Sequence, residues 1–443
     1  MLVSKLFLFF YFVKEGGPCQ MTGILELLCQ PETWQGFLDD KIANHYLGKK
    51  EREMLTAYVK EQRYLPTAQK LADRNYCLSA PTRRTINKSG TAKKRVVYTF
   101  PDDENLFLKG LAHLLYRYDD KLSPRCYSFR QSRSARNAIF DILAQPNRDD
   151  LYCFKADISN YFNAIPEDRL VEVLEEVITD DPDLLWFFRK LLLANVATLP
   201  DATLVEEHRG AMAGTPISPF FANVYLLAMD RFFESHGVAY FRYSDDILIF
   251  SSSEEDLEVQ RNYFYEYISQ AGLTINPKKV SVSTPGEAWE FLGFSYFQGE
   301  VDISSVTKDK LKGKIRRKAH ALYRWKTKKG ADFERAARAL VRTFNKKFYN
   351  EQNEDLFTWS RWFFPIITTD RSLQELDQYL VQYVRYLSSG RHYKGNYRIT
   401  YDQVKALGFR SLRHEYYLSR SKDSWESDLR EDSSDGNNSI DQI

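Results

Sequence analysis

The sequence feature that most constrains this chain is a pair of adjacent carboxylates, Asp245 and Asp246, set between two apolar runs. The runs, VAYFRYS and ILIFS, are rich in aromatic and β-branched residues and predict two strands joined by a tight reversal at the acids. Two charges there are costly unless a cation offsets them, although an isolated Asp-Asp pair is more often a polar hairpin tip. The pair therefore needs a second observation before it indicates a site.

A third apolar run, LYCFKADI (Leu151–Ile158), also ends in an acid, Asp157, where the strand gives way to a turn. Carboxylates at two strand ends of one sheet can bind two Mg²⁺ ions, an arrangement that activates a 3′-hydroxyl and stabilises a leaving pyrophosphate. Mg²⁺ suits this role because it takes few protein ligands and fills the remaining positions with phosphate oxygens and water. The three aspartates therefore indicate a possible metal site, and nucleotidyl transfer is one reaction that such a site could serve.

Strand-like and helical segments alternate through the middle of the chain. Further strands are predicted over Val238–Ser244, Ile247–Ser251 and Trp289–Phe297, with a cation-rich β-hairpin within Ala80–Pro101. Helices are predicted within Gly23–Leu71, Asp102–Arg117, Pro166–Ile178, Pro219–Phe233 and Leu257–Ala271, and nearly everything after Val301. This order indicates an α+β fold with an antiparallel sheet.

Length and charge distribution favour a multi-lobed protein that binds nucleic acid. The chain has 443 residues, more than one small core requires. Residues 421–443 hold seven acids and two bases, a net −5, so the rest of the chain is at +7 against +2 overall. We expect a basic folded part and a disordered acidic tail.

The N-terminus and the cysteines carry less information. Residues 6–13, LFLFFYFV, are too few to span a membrane, which needs about 20 residues. An over-extended start site, a packing or membrane-associating segment and a secretory signal stay open, so residues 1–20 are not assumed to be native. The five cysteines are far apart with no C-x-x-C pair, which favours reduced thiols in a cytoplasmic protein over a zinc knuckle or disulfides.

Five segments, in order, resemble the palm motifs of bacterial reverse transcriptases: DISNYF, GTPISPFFANVYL, YSDD, GLTINPKKV and FLGFSY. The segments KRVVYTFP and YSFRQSRSARNAI resemble that family's fingers, and the likeness covers roughly residues 83–296. The order of the motifs is more specific than any one of them. The resemblance implies a right-hand polymerase with an N-terminal helical extension (1–79), fingers and palm (80–300), an α-helical thumb (301–420) and the acidic tail (421–443).

The resemblance also implies an RNA-directed DNA polymerase with two Mg²⁺ ions, for which Mn²⁺ is an expected substitute. Asp157 and Asp245 would be the principal metal ligands, with Asp246 as the third carboxylate and the backbone carbonyl of Ile158 as an additional ligand. Phe162, five positions after Asp157, matches the family's steric gate. A large ring there would clash with a ribose 2′-hydroxyl and select deoxynucleotides.

Several residues match the family's nucleotide-binding positions. Arg95 corresponds to the fingers cation that grips the triphosphate. Lys88, Lys93 and Lys94 are further, unranked candidates in the same hairpin. Gly214 would let the nucleotide approach the backbone closely. Ser218, also assigned to the nucleotide site, and Asn223 would cap and brace the helix behind that glycine.

Other matches concern the chemistry and the bound strands. Ala213 stands where the family usually has Gln, which removes an amide that touches the nucleotide and puts ordinary fidelity in doubt more than activity. In PKKV, Lys279, favoured over Lys278, would be the general acid that protonates pyrophosphate. Gly293 in FLGFSY would form the hairpin that grips the primer, and Arg130 in the fingers would bind nucleic acid.

A basic segment follows the palm motifs. Lys308–Lys329 contains eleven Lys and Arg residues against one acid, interleaved with Tyr323 and Trp325. Such a helical face suits a template–primer duplex, because phosphate neutralisation supplies most of the affinity. A merely solvated basic face is the alternative. The residues assigned to nucleic-acid binding here are Arg316, Arg317, Lys318 and Arg324.

Leu376–Tyr417 is similar to C-terminal regions of the bacterial "unknown group" reverse transcriptases, several of which act in defence against bacteriophage. The resemblance implies cDNA synthesis from dNTPs, on a dedicated non-coding RNA or untemplated, primed by DNA, RNA or a protein hydroxyl. No membrane partner is expected, and a homo-oligomer stays open. The alternatives are a diversity-generating or retron-type enzyme, an RNA-dependent RNA polymerase, and an RNA-binding scaffold that does not polymerise.

Overall fold

The computed structural model describes residues 22–44, 47–87, 94–349 and 358–421. The apolar N-terminal run, Lys88, Lys93 and the acidic tail beyond residue 421 lie outside the described residues, so the predictions for them stay predictions. In the described ranges no helix is both long and apolar enough to cross a membrane. The four cysteines in these ranges are free thiols.

The N-terminal region is helical, as predicted. Its helices pack around Trp34, a fully buried residue whose ring stacks on Tyr64 at 4.5 Å. The Trp34 Nε1 donates a 2.8 Å hydrogen bond to the Leu28 carbonyl, and the ring fills the space beside Gly110, which leaves no room there for a Cβ. The helices are α1 (Ile24–Leu27), α2 (Pro31–Asn44), α3 (Lys49–Lys60), α4 (Leu65–Ala72) and α5 (Asp102–Leu114).

The predicted cationic hairpin is present up to its tip, which is not described. Strands β1 (Thr82–Asn87) and β2 (Lys94–Thr99) pair antiparallel and belong to a sheet of order β2-β1-β4-β5. We call the turn at residues 244–246 the acidic turn. The other helices and strands before it are α6 (Ala135–Leu143), β3 (Tyr152–Asp157), α7 (Tyr161–Ala164), α8 (Glu167–Val177), α9 (Pro182–Leu192), β4 (Val196–Thr198), β5 (Leu204–Glu206), α10 (Ser218–Tyr225) and α11 (Leu227–Ser235). The single helix predicted over Pro219–Phe233 is therefore two helices.

A central antiparallel sheet of order β6-β7-β3-β8 holds the acidic residues. Its alternate residues enter two hydrophobic cores: Phe154 and Ile249 pack with the N-terminal helices, whereas Phe241 and Leu248 pack with the C-terminal helices. Burial of both faces leaves the strand ends as the place where polar groups meet solvent. The remaining elements here are β6 (Ala239–Tyr243), β7 (Asp246–Ser251), α12 (Glu254–Gln270) and β8 (Ser281–Ser283).

A three-stranded sheet, β11-β10-β9, joins the central sheet to the C-terminal helices. The run Trp289–Phe297, predicted as a strand from its local pattern, is two antiparallel strands, because the chain reverses at Leu292 and Gly293, both with positive φ; this is the hairpin that the resemblance implied around Gly293. A buried stripe on α13 packs against α14 and α16. The elements are β9 (Trp289–Phe291), β10 (Phe294–Phe297), β11 (Glu300–Ile303), α13 (Ser305–Lys329), α14 (Phe333–Tyr349), α15 (Trp359–Phe363), α16 (Arg371–Ser389), α17 (Tyr401–Ala406) and α18 (412–421). The predicted α+β fold is confirmed.

Candidate active site

Three aspartates meet at one end of the central sheet. Asp157 ends β3 and lies directly opposite Asp246, the first residue of β7, in the antiparallel register. Opposed residues on such strands have Cβ atoms about 4.5–5.5 Å apart on one face. Asp245 lies in the turn between β6 and β7, and its carbonyl accepts a 3.1 Å hydrogen bond from the Ile158 amide. The structure thus brings together the carboxylates that the sequence pointed to.

The acidic cluster is partly desolvated and like-charged. Burial, together with the charge of Asp157, raises the pKa of Asp245, and burial with the charge of Asp245 raises the pKa of Asp246 to about 6. Asp157 itself is 3% exposed. Carboxylates in such a setting are stabilised by any cation that can reach them.

Lys279 provides one cation. Its Nζ donates to Asp157 Oδ2, and Asn276 Nδ2 donates to Asp157 Oδ1 at 3.2 Å. Burial alone would lower the pKa of Lys279, but the hydrogen bond to Asp157 and the charges of the aspartates outweigh it and raise the pKa. The Lys279 side chain is still 48% exposed. Of the two lysines in PKKV, Lys279 is the one placed on the carboxylates.

A buried ion pair that sequence analysis missed holds the acidic turn. Arg242 of β6 and Asp230 of α11 are both fully buried; Arg242 Nε donates to Asp230 Oδ1 at 2.7 Å, and Nη2 donates to Oδ2. The same guanidinium donates to the carbonyls of Ser244 at 3.4 Å and Asn223 at 3.1 Å. Tyr240 adds a 2.8 Å hydrogen bond to Asp230. The one signal in the sequence was a lone arginine inside an apolar strand.

Ser128 forms a second tie to the turn. Its Oγ accepts a 2.9 Å hydrogen bond from the Ser244 amide and donates at 3.0 Å to Asn223 Oδ1. Asn223 Nδ2 in turn donates to the Ser128 carbonyl at 2.7 Å. Ser244 has φ +62°, a conformation that a residue with a side chain keeps only when its surroundings hold it. Asn223, which was predicted to brace the helix behind Gly214, therefore braces the turn through Ser128.

An aromatic row connects the fingers hairpin with the acidic turn. The Arg95 guanidinium carbon lies 5.9 Å from the centroid of the Phe162 ring. The ring of Phe129 contacts Phe162 edge-on at 6.1 Å and lies 6.3 Å from that of Tyr243. Phe129 is 43% exposed with φ +54°. Sequence analysis selected Arg95 and Phe162 but not Phe129, which places an accessible ring between them and the aspartates.

Residues Ala213 and Gly214, just before α10, contact strand β2 of the cationic hairpin. The Tyr98 amide donates to the Ala213 carbonyl at 2.8 Å, and the Ala213 amide donates to Asn163 Oδ1 at 2.9 Å. Gly214 has φ +102°, and a Cβ there would lie 3.1 Å from the Tyr98 carbonyl oxygen, so glycine is required for this approach. Ala213 is 1% exposed, so its methyl group is buried and offers no polar group to a bound nucleotide.

Ser218 and Arg130 make contacts within the protein. Ser218 is the first residue of α10 and not its cap; it is 2% exposed, and its Oγ donates to the Thr215 carbonyl at 2.9 Å. The side chain of Arg130 is 6% exposed. Its guanidinium donates to the Ser123 carbonyl at 2.7 Å and to the Asp119 carbonyl, so in the free protein it holds its own loop, and its contact with nucleic acid stays a prediction.

The predicted primer hairpin adjoins the basic helix. Gly293 has φ +92°, and its carbonyl accepts a 2.9 Å hydrogen bond from the amide of Ser304, the N-cap of α13. Lys308 and Lys312 at the start of α13 both pair with Glu375 of α16. The four cations assigned to nucleic-acid binding are exposed on the same helix: Arg316, Arg317, Lys318 and Arg324.

The donor set fits Mg²⁺. Carboxylate and backbone carbonyl oxygens are the ligands that Mg²⁺ takes, usually one or two carboxylates completed by water and substrate phosphates. Burial first, and then the charge of the neighbouring aspartates, raises the pKa of Asp245 and of Asp246 even though Lys279 lies beside them. Within the described ranges no group of three or more His, Cys, Asp or Glu side chains is placed so that it could hold a metal ion, so the three aspartates do not form a complete ligand group in the free protein.

The comparisons with known proteins agree with this geometry. Residues 86–296 match a family model described as reverse transcriptase (RNA-dependent DNA polymerase). A relative from Schizosaccharomyces pombe (strain 972 / ATCC 24843), an uncharacterized 91 kDa protein in cob intron, is 24% identical over 169 residues. The match covers 38% of this chain and 20% of the relative, so the chain spans about a fifth of that relative's length.

Two solved structures show a looser likeness. Apo telomerase from Candida tropicalis, truncated from the C-terminal domain, has a TM-score of 0.42 and 12% identity, covering 51% of this chain and 55% of that one. Telomerase from Candida albicans, in complex with a TWJ fragment of telomeric RNA, has a TM-score of 0.42 and 14% identity, covering 79% and 68%. At such scores neither contributes to the assignment. The segment that matches the reverse transcriptase model contains Arg95, Phe162 and the three aspartates, so residues 86–296 are similar to a reverse transcriptase domain in the part of the chain that holds the candidate site.

Proposed function

We propose that this chain synthesises DNA from deoxynucleoside triphosphates on an RNA template. The observation that supports this most is the register pairing of Asp157 with Asp246, with Asp245 in the adjoining turn. Asp157, Asp245 and the Ile158 carbonyl would hold two Mg²⁺ ions, with Asp246 as the third carboxylate. The ions would supply the positive charge that activates the primer 3′-hydroxyl and stabilises the leaving pyrophosphate.

The chain's own residues would place the nucleotide and manage its proton. Arg95 would grip the triphosphate, since guanidinium offers several donors to phosphate oxygens. The Phe162 ring would exclude a 2′-hydroxyl from the sugar position. Lys279 Nζ, which rests on Asp157 in the free protein, would donate a proton to pyrophosphate as it leaves.

The experiment is primer extension by the purified full chain with Mg²⁺ on a primed RNA. We expect incorporation of dNTPs, a strong preference for dNTPs over rNTPs, and loss of synthesis with EDTA. Tight RNA binding with no incorporation on any template would overturn the proposal in favour of an RNA-binding scaffold. Preference for rNTPs would indicate an RNA polymerase.

For the biological role, we propose defence of a bacterial cell against phage, with cytoplasmic cDNA synthesis on a dedicated non-coding RNA. The support is the resemblance of Leu376–Tyr417 to the unknown-group enzymes. Plaque counts on cells that express the chain should fall, and they should return to control values with Asp245→Ala. Sequencing of co-purifying nucleic acid should give one dominant RNA; DNA joined covalently to its RNA template would instead indicate a retron-type enzyme.

A further inference from the structure

The loop that follows α16 concentrates exposed aromatic and basic side chains. We call residues 390–400, GRHYKGNYRIT, the distal loop; it has three Lys and Arg residues and no acid. Tyr393 is 51% exposed and Tyr397 62% exposed. Its cations, all exposed, are Arg391, Lys394 and Arg398. The proposed reaction at the aspartates makes no use of any of these residues.

The distal loop is a built structure. Asn396 is 5% exposed; its Oδ1 accepts from Ser389 Oγ at 2.8 Å, and its Nδ2 donates to the Arg391 carbonyl at 2.6 Å. Arg385 Nε donates to the Ile399 carbonyl at 2.9 Å. The Arg385 guanidinium carbon then lies 4.8 Å from the centroid of the Tyr397 ring. The ring is thus set in place on a cation while most of it stays exposed, so little conformational entropy is lost when a ligand stacks on it.

The distal loop lies at the far end of the basic helix. Gly390 packs against the Tyr323 ring of α13, and Lys326 Nζ donates to the Leu387 carbonyl at 2.6 Å. Helix α13 starts beside the β9–β10 hairpin and has 25 residues. At 1.5 Å per residue it spans about 37 Å, on the order of ten base-pair steps of about 3.4 Å.

We propose that the distal loop binds single-stranded RNA. The identity of the strand rests on the proposed function: a template–primer duplex that leaves the aspartates along α13 would end near this loop. The strand that continues unpaired beyond the primer's 5′ end is the 3′ flank of the RNA template. Stacking of bases on Tyr393 and Tyr397, with phosphate contacts to the neighbouring cations, is the chemistry by which proteins hold single strands.

The test measures the fluorescence anisotropy of a labelled, unstructured RNA. Its length of about 12 nucleotides is chosen to cover one single-strand site. Tyr393→Ala with Tyr397→Ala should weaken binding about tenfold or more, because a base stacked on an aromatic ring is worth about 1–3 kcal/mol. Tyr393→Phe with Tyr397→Phe keeps the rings and should bind like the wild type. The matched control is Tyr417→Ala, another exposed tyrosine, whose hydroxyl bonds Asp370 at the opposite end of α16.

A second measurement uses primed RNA with and without a 3′ RNA flank. The flank should strengthen binding by the wild type and not by the double alanine variant, while extension of the flankless substrate stays equal in both. Equal RNA affinity of the two proteins, or a loss confined to single-stranded DNA of the same sequence, would overturn the proposal. If the wild type polymerises on no template yet the alanine variant loses RNA binding, the proposal that the distal loop binds RNA is supported and the proposed polymerase function is overturned.

Discussion

The acidic turn and the outer face of α13 both carry several charged side chains. Those around the turn are held by buried partners, whereas those on α13 are exposed to solvent. The turn is tied down by a buried guanidinium and a buried carboxylate, Arg242 and Asp230, and by Ser128. The cations Arg316 and Arg317 are exposed on α13, which packs on its neighbours through an apolar stripe and through polar contacts of Lys308, Lys312 and Lys326. A reacting centre needs each atom in place, whereas binding of a polyanion needs enough charges along one face.

The two arrangements therefore differ in how they respond to substitution. Removal of one partner from a buried ion pair leaves an uncompensated charge and costs about 3–5 kcal/mol. Removal of one exposed cation changes stability by well under about 1 kcal/mol. Substitutions at the turn should act on the reaction rate and on folding, and substitutions on α13 should act on affinity and its salt dependence.

The largest effect is expected from Asp245→Ala combined with Asp246→Ala. Loss of two carboxylates removes the proposed metal ligands, and primer extension should fall by at least about a thousandfold. The variant should stay folded, because the two carboxylates are partly desolvated like charges and their removal relieves repulsion. Circular dichroism and single-turnover extension measure the two outcomes. Retained synthesis would show that the aspartates do not carry the reaction.

Arg242→Gln should have the next largest effect. Asp230 would be left buried without its partner, so the free energy of unfolding measured in urea should fall by about 3–5 kcal/mol. The turn would also lose the donors to the Ser244 and Asn223 carbonyls, and the extension rate of the folded fraction should fall. The matched control, Arg317→Gln on the exposed face of α13, should leave stability unchanged.

A double variant separates stability from positioning. Arg242→Gln with Asp230→Asn removes the unpaired charge and should recover much of the stability of the wild type. The extension rate should stay low, since the Ser244 carbonyl still lacks its charged donor. A rate that recovers together with stability would mean that Arg242 only supports the fold.

Phe162→Val should have a smaller, selective effect. A shorter side chain opens space for a ribose 2′-hydroxyl, so the preference for dNTPs over rNTPs should fall by about tenfold to a hundredfold. The ratio of kcat/KM values for one dNTP and its rNTP measures this, with Phe129→Val as the matched aromatic control. An unchanged ratio for Phe162→Val would mean that the ring does not read the sugar.

The same comparison shows why the sequence predicted some parts and missed others. Asp157, Asp245 and Phe162 were selected because their motifs lie on short, contiguous segments that follow one another in the order typical of the family. Arg242 and Ser128 were missed because their meaning depends on partners distant in sequence, Asp230 and Asn223 among them. No local pattern distinguishes a buried arginine that braces a turn from a cation on a strand.

The contacts that the sequence did not predict have the same origin. Arg130 looks like other fingers cations in sequence, yet in the structure its guanidinium donates to backbone carbonyls of its own loop. Its neighbour Phe129 has no distinguishing pattern, although the fold exposes it beside Phe162. The hairpin within Trp289–Phe297 resembles one strand, because the reversal uses a Leu-Gly pair in place of the Asn-Gly or Asp-Gly that usually marks such turns.

The smallest effects per residue are expected on α13, and they test whether its exposed face binds phosphates. Replacement of Arg316, Arg317 and Lys318 by Gln should weaken binding of a primed RNA and reduce the slope of log K against log salt by about 0.9 for each phosphate that is no longer neutralised. Lys308→Gln with Lys312→Gln is the control on the same helix, because those ammonium groups already pair with Glu375. The control pair should change the slope less per lysine. Equal slopes for wild type and triple variant would assign the face to solvation alone, and the polymerase would have to hold its duplex through the fixed geometry around the β9–β10 hairpin instead.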